Sequence, residues 1–450
     1  MKLESVHSVY FIGIGGIGMS ALARYFRFTG KKVAGYDKTS TALTREMEAN
    51  QIAIHYEEDL ALVPDTFLDK DSTLVVYTPA VPSNHKELQF FQVQGFIIKK
   101  RAEVLGMLTN STFSLAVAGT HGKTTTSAIL AHLLFETGTN LTAFLGGVSE
   151  NFGSNFVMTG SEVTVAEADE FDRSFLHLSP NIACITSMDA DHLDIYGNAS
   201  ELEKSFREFA ARLKPNGRLF VKNGLPIEGI TYGIEDSADY SIKNLKIKNA
   251  TYVFDVVTPT EVIRGVEFNK PGKHNLLNGL VAFAMAAETG TPTSRLAKAL
   301  KTFKGVHRRF SIHISKPNLV YIDDYAHHPT EIDAVYQAIS EMYPGKKILA
   351  IFQPHLYSRT RDFADDFAQS LSQFDEVVLL DIYPAREKPI TGINSSWLLE
   401  KITSVKKSLR NKSDLPAYLS SSDFEVIVTM GAGDIGEEVA KIKNTLVHAS

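Results

Sequence analysis

The sequence predicts an α/β fold divided among three domains. A glycine-rich turn joins a short strand to a helix near the N-terminus. A second strand–loop–helix of different type lies around residue 119, and strands alternate with helices again beyond residue 319. At 450 residues the chain has the length of about three domains.

Composition narrows the field before any motif is considered. A chain that is 44% hydrophobic and 22% charged is an ordinary globular protein, and a net charge of −6 gives no general attraction to nucleic acid. Any anionic ligand must therefore be held by local groups. Cys184 is the only cysteine, so an intramolecular disulfide is excluded and a reducing compartment is expected. It falls in the apolar run Ile182–Ile185, which reads as buried core rather than as a nucleophile. No run of signal-peptide type or membrane-spanning length occurs, so a soluble, cytoplasmic protein is expected, as a monomer or homodimer.

The first domain, residues 1–110, opens with Val9-Tyr-Phe-Ile-Gly13-Ile-Gly15-Gly16-Ile17-Gly18-Met-Ser, followed by a helical pattern over Met19–Phe28. A second strand, Lys32–Tyr36, ends at Asp37, about twenty residues after Gly18. The glycines let a diphosphate approach the backbone, and the acid is placed for a ribose hydroxyl. The same geometry serves NAD or a UDP-sugar, and the glycines do not choose between them. Strand Ser72–Tyr77 leads into Thr78-Pro-Ala-Val-Pro-Ser-Asn84, at the strand end where a ligand crevice lies; a Pro-punctuated surface turn would read the same way. Arg101–Leu108 reads as the closing helix.

The central domain, residues 111–308, begins with the apolar strand Leu115–Ala118 and the loop Gly119-Thr120-His121-Gly122-Lys123-Thr124-Thr125, entering a helix over Thr124–Leu134. Backbone N–H groups at such a turn face an anion, the lysine adds a mobile positive charge, and Thr124 can ligate Mg²⁺. Gly119 stands two residues closer to the lysine than in the general phosphate-loop spacing, which would place glycine at Val117. After the polar turn Asn151–Asn155, a strand over Glu162–Ala166 runs into Glu167-Ala-Asp169-Glu170-Phe-Asp172. These carboxylates repel one another unless cations or donors balance them; beside a phosphate loop Mg²⁺ is the obvious balancing charge, and a solvated acidic turn would read the same way. The strand Asn181–Thr186 leads to a second cluster, Asp189-Ala-Asp191-His192-Leu-Asp194. Alternation over Asp239–Ile263 suggests antiparallel strands. His274 and Asn275 precede the Ala-rich helix Gly279–Glu288, where they either cap it or meet a base. Arg308 and Arg309 suit phosphate neutralisation or a solvated basic turn.

The third domain, residues 309–450, opens with the strand Leu319–Ile322 and Asp323-Asp324-Tyr325-Ala-His327-His328-Pro-Thr-Glu331, then a helix over Ile332–Tyr343. Strand Lys347–Phe352 ends in Gln353-Pro-His355-Leu-Tyr-Ser-Arg359, and strands Glu376–Leu380 and Val426–Thr429 continue the alternation. Functional groups again collect where strands stop, the ligand edge of a doubly wound sheet.

The segments Gly13–Ser20, Gly119–Thr126, Glu167–Asp172, Asp191–Asp194, His274–Asn278, Asp323–Glu331 and Phe352–Thr360 together resemble the Mur ligase family, in order along nearly the whole chain. The resemblance implies an N-terminal Rossmann-like domain for a UDP-sugar, a central P-loop ATPase-type α/β domain and a C-terminal Rossmann-like domain bringing an amino acid. It implies ATP-dependent joining of L-alanine to UDP-N-acetylmuramate in peptidoglycan precursor synthesis, with Mg²⁺ required. Gly13, Gly15, Gly16, Ile17, Gly18, Asp37, Thr78 and Asn155 would then meet the UDP-sugar. Residues 119–125, His274, Asn275, Asn278, Arg309 and Asp324 would meet ATP. Thr124 and Glu170 would hold one Mg²⁺ and His192 a second. Tyr325, His327, His328, His355 and Arg359 would frame the alanine, with Lys123, Glu170, His192, His327 and Arg359 closest to the chemistry. Two other readings stand beside this one: a ligase of the same family attaching a preformed peptide in wall recycling, and a non-catalytic nucleotide-binding regulatory protein. An NAD-dependent oxidoreductase would leave the phosphate loop idle.

Overall fold

The computed structural model describes residues 3–189, 196–248, 251–385, 387–403 and 406–449, and three sheets organise it. In the N-terminal sheet, β1 (Ser8–Ile12), β2 (Lys32–Tyr36), β3 (Ala53–His55), β4 (Thr73–Tyr77) and β5 (Ile97–Lys100) lie in the order β3-β2-β1-β4-β5, all parallel. Every residue of β1 is buried, as expected of a central parallel strand covered on both faces. The glycine turn then feeds the helix Ile17–Phe28, whose Met19, Leu22, Ala23 and Phe26 face inward.

The central sheet has ten strands: β6 (Phe113–Ala118), β7 (Leu141–Ser149), β8 (Ser154–Met158), β9 (Val163–Glu167), β10 (Ile182–Ile185), β11 (Arg218–Lys222), β12 (Ile230–Ile234), β13 (Tyr240–Lys248), β14 (Thr251–Val257) and β15 (Val262–Phe268). Their order is β15-β14-β13-β12-β11-β10-β6-β9-β7-β8. β6, which carries the phosphate loop, is flanked in parallel by β9 and β10. The ends of those two strands therefore open beside the loop. The helix Lys123–Glu136 is buried from Thr124 to Leu134, so it packs on all sides.

The C-terminal sheet orders β16 (Ser311–Lys316), β17 (Leu319–Asp324), β18 (Ile348–Phe352), β19 (Glu376–Leu379), β20 (Lys406–Leu409) and β21 (Val426–Met430) as β16-β17-β21-β18-β19-β20. Only the edge strand β16 is antiparallel to its neighbour. Apolar clusters cover both faces of this sheet.

The chain divides into two compact units. The first holds residues 1–246, 253–268 and 277–304, and the second residues 247–252, 269–276 and 305–450. Within the first unit a single apolar core runs from Phe11, Leu22 and Phe26 of the N-terminal domain to Ala116, Phe144 and Ile185 of the central one. Tyr25 packs 5.6 Å from the Phe144 ring and 6.3 Å from Phe156, joining the glycine-turn helix to β7 and β8.

Two sequence expectations change here. Ser154 and Asn155 are not turn residues but open β8, because the turn is already completed by Gly153, which takes positive φ. The helix expected from Gly279 begins at Lys273, so His274 and Asn275 sit within its first turn. Asp191, His192 and Asp194 lie outside the described residues.

Beneath the N-terminal sheet, Tyr10 Oη lies 2.7 Å from Glu87 Oε2 and 2.8 Å from His55 Nε2, while His55 Nδ1 lies 2.8 Å from the Glu57 carbonyl oxygen. Tyr10 Oη donates to Glu87 Oε2. Burial keeps His55 below its ordinary value and, outweighing the Tyr10 hydrogen bond, pushes Glu87 up to about 7. A carboxyl whose folded value exceeds its unfolded one stabilises fully below the unfolded value and loses that contribution as pH rises. Urea unfolding across a pH series should show stability falling from about 4.5 through about 7. Glu87→Gln should remove that slope.

Candidate active site

The phosphate loop is shaped by what glycine alone permits. Gly119 has φ +128° with Thr186 and Ser187 packed against it, and Gly122 has φ +83° at the start of the helix, where a Cβ would fall 2.5 Å from Asn278 Oδ1. The loop is fastened from the end of β10: Ser187 Oγ lies 2.9 Å from Thr120 Oγ1 and accepts the His121 N–H at 2.8 Å. Thr186 Oγ1 donates to the His121 carbonyl. His121 Nε2 lies 3.3 Å from Asp189 Oδ2, and Thr125 is buried in the helix's first turn.

Lys123 Nζ donates to the Gly119 carbonyl at 2.7 Å and stands 2.8 Å from both carboxylate oxygens of Glu170. Glu170 is wholly buried. Burial alone would pull the Lys123 ammonium down, but the carboxylates of Glu170, Asp169 and Glu167 outweigh it and hold the lysine above its ordinary value. Thr124 Oγ1 donates to Glu167 at 3.0 and 3.2 Å. Lysine and threonine are thus each matched to one carboxylate at the end of β9. This donor set fits a hard divalent cation, which takes a few protein oxygens and keeps the rest for phosphate and water. Among the described residues no group of three or more His, Cys, Asp or Glu converges as a ready-made metal cluster.

The N-terminal glycine turn faces a cavity of about 250 Å³. Its lining includes Gly16, Ile17, Gly18 and Thr78 from the N-terminal domain with Glu167 and Asp169 from the central domain. The Thr78 methyl packs on Gly13, where a Cβ would stand 2.7 Å away. Asp37 accepts the Gly15 N–H at 2.7 Å, so this carboxylate holds the turn itself. Asn155, fully buried, donates its amide to the Ile17 carbonyl at 2.6 Å and to Ser20 Oγ at 2.9 Å, clasping the same turn from β8.

In the second unit the expected residues gather beyond β17 and β18. Asp324 accepts the backbone N–H groups of Phe310 and Ala326, each at 2.7 Å, and burial pushes its carboxyl up to about 7. The Arg309 guanidinium lies 4.9 Å from the Tyr325 ring centre. Glu331 accepts the His327 N–H at 2.9 Å, and the His327 and His355 rings are 6.0 Å apart. Arg359, 8% exposed, places Nη1 3.4 Å from His355 Nδ1. His328 caps the helix Pro329–Met342 and packs edge-on to Phe363. Asn275 donates to the Pro271 carbonyl at 2.6 Å, within the turn that precedes His274.

Sequence reasoning left out Glu167 as an individual partner, Thr186 and Ser187 as loop fasteners, and Arg101, which bonds Asp169 at 3.3 Å. The first three were findable in principle. Glu167 pairs in register with Val117, and Ile185 with Ala118, so the next residues of β9 and β10 must flank the loop.

A phosphate loop on a parallel strand, backed by two carboxylates and opening beside a second glycine turn, defines a nucleotide-binding α/β protein. Profiles described as "Mur ligase family, catalytic domain", "Mur ligase middle domain" and "Mur ligase, glutamate ligase domain" match residues 8–112, 117–286 and 308–433. The chain is 61% identical over 447 residues to the UDP-N-acetylmuramate–L-alanine ligase of Christiangramia forsetii and 60% identical over 446 residues to that of Flavobacterium psychrophilum, each alignment covering 99% of both chains. The crystal structure of the UDP-N-acetylmuramate–alanine ligase of Thermotoga maritima superposes with a TM-score of 0.81 at 29% identity, covering 98% of each chain. A murein peptide ligase of Psychrobacter arcticus shares the fold, with a TM-score of 0.70 at 21% identity and 98% coverage of each chain. The chain belongs to the Mur ligase family.

The buried Lys123–Glu170 pair makes a stability prediction. Lys123→Ala leaves a carboxylate sealed without its cation and should cost about 3–5 kcal/mol. Lys123→Ala combined with Glu170→Ala should regain most of that loss in urea unfolding while remaining unable to release phosphate.

Proposed function

We propose that the chain is an ATP-dependent amide-bond ligase that joins L-alanine to the lactyl carboxylate of UDP-N-acetylmuramate, giving ADP and phosphate. It works in the cytoplasm, on a precursor of peptidoglycan. The relatives' shared activity supports the reaction. The observation that carries the site is the cavity lined jointly by the N-terminal glycine turn and by Glu167 and Asp169 beside the phosphate loop.

A carboxylate is a poor electrophile because resonance and charge protect its carbon. Its oxygen attacks the γ-phosphorus of ATP, ADP leaves, and the resulting acyl phosphate carries a good leaving group. The neutral amine of alanine then attacks the acyl carbon, phosphate departs, and an amide remains. Both steps bring anions together, so the protein's task is positioning and charge neutralisation. The loop N–H groups and Lys123 hold the ATP phosphates, and Asn278 stands over Gly122 at the loop's edge. Lys123, now paired with Glu170, would turn to the phosphates of a bound triphosphate, leaving the Glu170 carboxylate available to a metal ion. Thr124, Glu170 and His192 would hold Mg²⁺, which when bound neutralises phosphate and carboxylate charge. His274, Asn275, Arg309 and Asp324 serve ATP, while Tyr325, His327, His328, His355 and Arg359 receive the amine-bearing substrate. Gly13–Gly18, Asp37, Thr78 and Asn155 shape the seat of the UDP-sugar.

Phosphate release measured with each substrate omitted in turn tests the reading. Release should require ATP, Mg²⁺, UDP-N-acetylmuramate and L-alanine together. Release that needs a peptide instead of alanine, or no release at all, would overturn it. Lys123→Ala should abolish turnover while calorimetric binding of UDP-N-acetylmuramate persists within about threefold, since that seat lies in the N-terminal domain.

A further inference from the structure

We propose that Arg101 anchors an oxyanion of the sugar nucleotide, in competition with its bond to Asp169; the inference rests on the function proposed above. The charged residues lining the cavity are Arg101, Glu167 and Asp169, so a polyanionic ligand entering it meets two carboxylates and one cation. Lys123, the nearby alternative, is already committed to Glu170 and to the phosphate loop. Without Arg101 the wall would repel the ligand it is shaped to admit.

Arg101 is the first residue of the helix Arg101–Asn110, directly after β5. Its guanidinium lies against the glycine turn: a Cβ on Gly18 would fall 2.6 Å from Nη1. Gly18 has φ outside the left-handed region, so its lack of a side chain serves to admit the guanidinium. On the other side Nη2 donates to Asp169 Oδ2 at 3.3 Å, while Asp169 Oδ1 accepts the Phe171 N–H at 3.1 Å and is thereby fixed. One of five N–H groups is used, and the fork retains a pair of donors for a bidentate oxyanion. The neighbouring pair Lys100–Asp172, at 3.0 Å, already ties the same two segments together. Arg101 is therefore not needed merely as a strap.

Calorimetry on the full chain without ATP gives the test. Arg101→Met should weaken binding of UDP-N-acetylmuramate by about ten- to a hundredfold, the range of a charge-assisted hydrogen bond. In turnover the KM for the sugar nucleotide should rise, with the KM for ATP unchanged. Arg101→Lys should recover part of the loss, since charge returns without the fork. Asp169→Asn removes a carboxylate that competes for the guanidinium and should tighten sugar-nucleotide binding. Unchanged affinity in Arg101→Met would overturn the inference, as would equal weakening by Asp169→Asn, the mark of a purely structural strap. UDP-N-acetylglucosamine, which lacks the lactyl carboxylate, locates the anion. Weakening of both nucleotides by Arg101→Met assigns the diphosphate, and weakening of the muramate alone assigns the carboxylate. If Arg101→Met does not fold, Arg101→Lys and Asp169→Asn still give opposite expected signs. Wild-type protein that binds no sugar nucleotide would overturn the proposed function as well, whereas wild-type turnover with an unaffected Arg101→Met would overturn this inference alone.

Discussion

A lysine ammonium held against a wholly buried carboxylate is the constraint on which the central domain is built. Neither charge can be withdrawn from water alone, so Lys123 and Glu170 must arrive together. The strand order meets that requirement. Glu170 follows β9 and Lys123 follows β6, and those two strands are parallel neighbours, which brings the two residues together. The glycines at 119 and 122 then bend the loop tightly enough for the ammonium to reach back to the Gly119 carbonyl.

The same arrangement explains why the acidic residues of the turn are distributed rather than stacked. Glu170 faces Lys123, Glu167 faces the Thr124 hydroxyl and Asp169 faces Arg101. Each carboxylate has a separate donor, which relieves the repulsion that three acids within four residues would otherwise suffer. The turn is held ready without a single crowded cluster.

Much of this was legible in the sequence because glycine, lysine and strand-end carboxylates are local signals. Largely apolar strands such as β1, β6 and β18 lie where their hydrophobic runs end at glycine or polar residues. Partly polar strands did not announce themselves: β5, Ile-Ile-Lys-Lys, is half-buried throughout, and β8 begins with Ser-Asn, which reads as a turn. Asn155 illustrates the limit. The resemblance places it with the UDP-sugar, but spacing alone could not show that its amide reaches the Ile17 carbonyl of another domain. Such pairings depend on tertiary placement, which spacing along the chain does not encode. Arg101 was hidden for the same reason, since only the fold brings it between Gly18 and Asp169.

The aromatic seam between the glycine-turn helix and the central sheet sets how the polypeptide can be divided. Tyr25 and Phe26 on one side, and Phe144 on the other, belong to one apolar core. A piece cut off after the first sheet would present a greasy, unsheltered flank to water and would be prone to stick to itself. The glycine-turn sheet and the phosphate-loop sheet are therefore two parts of one compact body that cannot be parted without baring its interior.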